Sequence, residues 1–364
     1  MKDFLTKTAH LNRAIVSDDF EKTLHIINER IPLEMHRYPS GKLFFDWKIP
    51  KKWVIRNAHI AETSGKKVLD WKDNPLHVII GSLSVHKRIS RDELLKRIHI
   101  SDKYPDAIPY YFKYYELNWG FCMTRKQRDG LKKKFYDVLI DSRYVDGVMM
   151  LGEHVIKGEN NKSIMLLAHI DHPGQVNDGL AGAAVLLELA ERLKGTKPAF
   201  TLRFHFLAER IGSIAYLEEQ YKRKKQIVGG LFCEMPGTRK LPIVLQYSRK
   251  KNTRLDRIAV YVVKKTQKKA IFAEYFKHVV NDDGFYNSPG IDIPCISLSR
   301  SKALTPANRS HYPYYHTSGD NLSRFDFKQA REYVNTVYEI LEILNKDRII
   351  TRMYVGIPHL SRHG

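Results

Sequence analysis

The stretch Ser163-Ile164-Met165-Leu166-Leu167-Ala168-His169-Ile170-Asp171-His172-Pro173 decides the fold. Its first six residues form an apolar run of buried-strand length. Polar residues that can bind a metal follow at once. Asn177-Asp178-Gly179 then leads into 181–193, an amphipathic helical pattern rich in Ala, Leu and Glu. Residues 201–207 read as the next strand, 213–221 as a helix and 228–233 as a third strand. Strands alternating with helices predict a largely parallel sheet with helices on both faces.

Toward the N-terminus, Leu11, Ile15, Phe20, Leu24, Ile27 and Ile31 recur near helical spacing, so 11–31 is expected to be helical up to Pro32. From about 40 to 150 the pattern changes to short β-type runs such as 53–55 and 77–80, punctuated by Gly and Pro. Tyr110, Tyr111, Phe112, Tyr114, Tyr115, Trp119 and Phe121 crowd one part of it. We therefore expect an α/β body made of 1–40 and 150–364, with 41–149 inserted as a small β-rich subdomain. Residues 326–345 carry a closing amphipathic helix.

Composition narrows the class. The chain has 364 residues, 43% hydrophobic and 28% charged, enough for a substantial core. No run of about 18 apolar residues is present, so no membrane span is expected. No apolar stretch follows the charged N-terminus, and Cys122, Cys233 and Cys295 form no CxxC pair. Both features point to a reducing cytoplasm and away from a cysteine zinc site. The net charge of +21 suits either simple solubility or an anionic partner. No nucleic-acid motif supports a polynucleotide as that partner.

The candidate site residues fall just past predicted strand ends, where sites gather in open α/β sheets. His169 and Asp171 follow the first strand, Glu209 the second and Glu234 the third. Asp178 precedes a helix, and His316 lies in Tyr315-His316-Thr317-Ser318-Gly319-Asp320. Each has an ordinary reading by itself. A histidine after a strand is often structural, Asn-Asp-Gly is usually a turn, and Glu209 beside Arg210 could be an ion pair. Their order after successive strands is what points to a metal site, since imidazoles and carboxylates bind zinc and leave a position for water.

In that order the motifs resemble the zinc aminopeptidases that include bacterial leucyl aminopeptidases. The segments are His169-Ile170-Asp171, Asp178-Gly179-Leu180-Ala181-Gly182, Glu209-Arg210-Ile211-Gly212-Ser213, Glu234-Met235-Pro236-Gly237 and His316-Thr317-Ser318-Gly319-Asp320. Arg37-Tyr38-Pro39-Ser40-Gly41, Phe45-Asp46-Trp47, Trp119-Gly120-Phe121-Cys122 and His172-Pro173 are more similar to aminopeptidase-like proteins of bacterial polysaccharide biosynthesis clusters. The resemblance implies a three-layer α/β/α aminopeptidase-like fold and hydrolysis of an amide bond with one or two zinc ions. It implies His169, His316, Asp178 and Glu234 as ligands, with Asp178 between two metals. Glu209 would be the general base, and Asp171 would orient the His169 ring through its far nitrogen.

The chain departs from that pattern in three places. Arg210 stands where a second glutamate is expected, so a single-zinc site is an alternative. The loop from His169 to Asp178 is short and contains His172, which competes with or supplements His169 as a ligand. The chain ends at Pro358-His359-Leu360-Ser361-Arg362-His363-Gly364, where relatives continue into a small winged-helix domain. The expected substrate is a small peptide or other amide, with the basic charge favouring an acidic one. A non-catalytic recognition protein of a glycan-modification pathway, a deacylase or a glutamine cyclase on the same fold remain alternatives, and the oligomeric state is left open.

Overall fold

A computed structural model describes residues 1–305, 310–347, 356–357 and 359–363. Pro358 and Gly364 of the terminal segment lie outside the described residues. Among the described residues an eight-stranded sheet runs through the larger body. Its central strands Thr201–Leu207, Ser163–His169, Ile227–Glu234 and Cys295–Arg300 pair in parallel. Antiparallel strands flank them: Val148–Ile156 and Glu34–Pro39 on one side, Ile243–Gln246 on the other, which itself pairs in parallel with Ala270–Ala273. The fold is mixed α/β with the mostly parallel core expected.

Every residue of Ser163–His169 is buried. That burial on both faces explains why the strand reads as a continuous apolar run and does not alternate. The helix Leu180–Arg192 packs on it, and Phe327–Lys346 closes the same layer against Arg254–Thr266.

A second sheet pairs Lys67–Asp70, Lys52–Glu62, Phe135–Val145 and Val85–Ser90 in that order. It has its own apolar core, which runs from Trp53 to Ile140 and also takes in Ala14. Phe44 and Ile49 pack into the larger core instead.

Of the helix expected over 11–31 only Asp18–Asn28 is helical; residues 11–17 are an irregular link to a separate earlier helix, Lys2–Thr8. The Ser17 hydroxyl accepts the Phe20 N–H at 3.1 Å and starts the second helix. The link is drawn away by Arg13, which is wholly buried. Its Nε donates to the Ile170 carbonyl at 2.8 Å and Nη2 to that of Gln175 at 3.0 Å. Further bonds reach the carbonyls of Thr8, Leu11 and His172. One arginine thus clamps the loop that follows His169.

Candidate metal centre

The chain ends its strands and turns so that six side chains meet. His169 and Glu234 are the last residues of parallel strands two places apart in sequence order. His172 and Asp178 come from the loop and turn between strand and helix. Gly179 makes that turn possible. Its φ is +87°, and a Cβ there would meet the His169 ring at 2.2 Å. His316 arrives from a distant loop in a left-handed conformation, with φ of 56°.

Asp178 is the hub. Its Oδ1 lies 3.4 Å from His169 Nε2. Its Oδ2 lies 3.1 Å from His172 Nδ1 and 2.8 Å from His316 Nε2. Glu209 Oε2 stands 3.3 Å from His172 Nε2. Asp320 holds the hub from behind by accepting the N–H groups of Val176, Asn177 and Asp178 at 3.0–3.2 Å. The Tyr312 hydroxyl also donates to it at 2.9 Å.

The polar atoms facing one another are not internally satisfied. His169 Nε2, His172 Nδ1, Asp178 Oδ2, Glu234 Oε2 and His316 Nε2 are all buried without a well-formed hydrogen bond, the imidazoles meeting Asp178 only as ion pairs. A buried polar atom left unpaired costs about 1–3 kcal/mol. Five together, all suited to ligation, would be relieved by a cation. His169, His172 and Asp178 alone can hold one, with donor atoms within 4.8 Å of each other. The residues present therefore fit a metal centre.

The electrostatics agree. Burial opposes charge on His169 and His172, but Asp178 and other carboxylates outweigh it and raise both imidazoles. Burial would raise Asp178, yet His172, His316 and His169 hold it well below its ordinary range. Glu209 is likewise brought down to about 2 by His172 and His169 against its burial. Glu234 is pushed up by burial, with Asp178 and Glu209 adding to it. A metal that replaced the imidazole protons would satisfy the same carboxylates.

All the residues expected at the site meet there, although Asp171 does so differently from expectation. The far nitrogen of His169 faces Asp282 Oδ2 at 3.7 Å and the Asn281 amide at 3.5 Å, not Asp171. Asp171 lies past its strand end, where Oδ1 accepts the Glu209 N–H at 2.8 Å. That N–H has left its own strand and needs a partner. Arg210 points away from the hub. Its Nη2 donates to the Val280 carbonyl at 2.6 Å. Sequence reading missed Arg13, Asn281 and Asp282. An Asn-Asp-Asp run is the one local signal that could have flagged the last two.

Sheet, crossover helix and carboxyl-end cluster together define the aminopeptidase-like class of α/β folds. Residues 3–347 match the family described as a domain of unknown function, DUF4910, and the chain belongs to that family. It is 35% identical, over 97% of its length and 79% of the relative's, to a Clostridium acetobutylicum protein provisionally named for polysaccharide biosynthesis and an aminopeptidase-like domain. A crystal structure from the same organism, provisionally called a peptidase, superposes with a TM-score of 0.90 at 32% identity, covering 100% of this chain and 84% of that one. A zinc aminopeptidase from Bacillus subtilis shares the fold at a TM-score of 0.67 and 13% identity, over 94% of each chain. Among the described residues no helix is long and apolar enough to cross a membrane.

Proposed function

We propose that the chain is a zinc-dependent hydrolase of amide bonds on an aminopeptidase-like fold. The observation that carries this reading is the set of five unsatisfied ligand atoms around Asp178, with Glu209 beside them. His169, His172, Asp178, Glu234 and His316 would hold the zinc. In this reading His169 and His172 are both ligands, and His172 supplies the donor that Arg210 does not.

Zinc, when bound, supplies a Lewis acid for the scissile carbonyl. Glu209 takes a proton from the attacking water and returns it to the leaving nitrogen. Asp171 fixes the start of the Glu209 backbone, so the carboxylate stays aimed at the hub. The Tyr315 ring stacks on the His316 ring with centroids 3.9 Å apart. The name of the Clostridium relative makes N-acylated sugars one amide class worth including among test substrates.

The test joins metal analysis to turnover. Wild-type protein should carry roughly two zinc ions per chain and hydrolyse a member of an amide panel. Glu209→Gln should keep the zinc and lose about 10²–10⁴-fold in kcat. Full activity in chelator-stripped protein, or no hydrolysis by the zinc-loaded protein across peptides, N-acyl amino acids and N-acyl sugars, would reject the proposal.

A further inference from the structure

Beside Glu209 opens a cleft of about 680 Å³. Its charge becomes one-sided once the metal centre is set aside. Among the described residues lining it, the carboxylates are Glu209 and Glu234, both already used by the metal centre. The cations are Arg210 and Lys277. Lys277 is exposed, and no described residue forms an ion pair with its ammonium group. Arg210 is 44% exposed and 4.0 Å from Glu209 Oε1. One of its N–H groups is spent on Val280, which leaves other donors of the fork for a ligand in the cleft that Arg210 lines.

The chain holds Arg210 there under strain. Its φ is +62°, a conformation rare for a side chain of this size. The Arg210 N–H donates to Asp282 Oδ1 at 2.9 Å, and the Ser213 hydroxyl donates to the same oxygen at 2.6 Å. Asp282 thereby pins the turn that places the guanidinium.

The remaining polar wall is neutral. His278 and His311 meet edge to face at 5.2 Å. Desolvation brings them down to about 3 and about 4, so neither carries charge at neutral pH. A side chamber of about 180 Å³ adjoins the cleft and shares Arg210, Phe276, Val280 and Asn281 with it. Tyr275, Phe285 and Pro289 add to its mostly apolar lining.

These features fit one kind of substrate. An α-ammonium group would find no spare carboxylate in the cleft and would meet two like charges. A carboxylate would find both cations, and an apolar group next to it would find the side chamber. We propose that the cleft selects anionic amides, with Arg210 and Lys277 holding a carboxylate beside the scissile bond and the side chamber taking the adjacent apolar group. This rests on the metal-hydrolase reading, but it is separable from it because selection is read in binding.

The probes are N-acetyl-leucine, its neutral amide N-acetyl-leucinamide, and the cationic leucinamide. Binding to zinc-loaded Glu209→Gln is measured by calorimetry at low and high salt, without turnover. The acid should bind roughly tenfold tighter than the neutral amide, and leucinamide weakest, with the preference shrinking as salt rises. Arg210→Ala and Lys277→Ala should each cost the acid roughly three- to tenfold and leave the neutral amide unchanged. Arg210→Lys should keep part of the preference. Three binding results would overturn the proposal: no measurable binding of the acid, equal or tighter binding of leucinamide, or a preference that survives in the Arg210→Ala/Lys277→Ala double variant. The last would mean that the metal alone holds the carboxylate. Intact selection without hydrolysis of any amide would reject the hydrolase reading alone. Hydrolysis of all three probes at similar kcat/KM would reject the selectivity alone.

Discussion

Arg13 is a buried cation whose hydrogen bonds end on backbone carbonyls, three of them in the loop 170–175. Burial lowers its pKa only to about 10, so it stays charged at neutral pH. A positive charge near a cation site is electrostatically unfavourable, and its worth lies in fixing where His172 points. Arg13→Met should therefore weaken zinc binding about 10–100-fold, with Arg13→Lys intermediate, in competition titrations against a chelator. Unchanged affinity in both variants would remove Arg13 from the site's support. The same residue marks the limit of sequence reading. His169, Asp178, Glu209, Glu234 and His316 were legible because each follows a strand or opens a turn in a fixed order. Arg13, Asp282 and Asp320 act across more than 70 positions of chain, and although Asp282 sits in an Asn-Asp-Asp run and Asp320 in the 316–320 motif, no local pattern records their distant partners.

At the scale of elements, the central strands and the helices between them were readable because burial on both faces leaves unbroken apolar runs. The flanking strands Glu34–Pro39 and Val148–Ile156 were not assigned to the sheet. They join it from either side of the inserted lobe, and their antiparallel pairing has no βαβ signature. The helix Leu180–Arg192 shows how closely the central layer is fitted. A Cβ on Gly182 would meet the Cys233 carbonyl oxygen at 2.2 Å, so only glycine lets helix and strand touch there. Gly182→Ala should destabilise the fold by about 1–3 kcal/mol in denaturant titration, the usual cost of overpacking. A loss under 0.5 kcal/mol would show that the layers separate easily.

For the whole molecule, the telling contact joins the lobe to the body. Tyr110 N–H donates to the His316 carbonyl at 2.9 Å, and Ser318 N–H to the Ile108 carbonyl at 2.8 Å. Ile108 N–H reaches the Ser318 hydroxyl at 2.9 Å. The segment that carries His316 is thus an extension of the small lobe's backbone. Stripping the metal should speed amide hydrogen exchange at 108–110 and 316–318 while leaving 163–167 protected. Equal protection with and without metal would separate the two lobes from the site.

That short ladder has a thermodynamic consequence. If His316 holds an ion as proposed, docking of the lobe through this ladder and capture of that ion are linked equilibria, and linkage is reciprocal. Whatever the ion contributes to holding the lobe docked, the docked lobe returns as affinity for the ion. A substitution deep in the lobe, far from any ligand, will then register as a change in metal affinity.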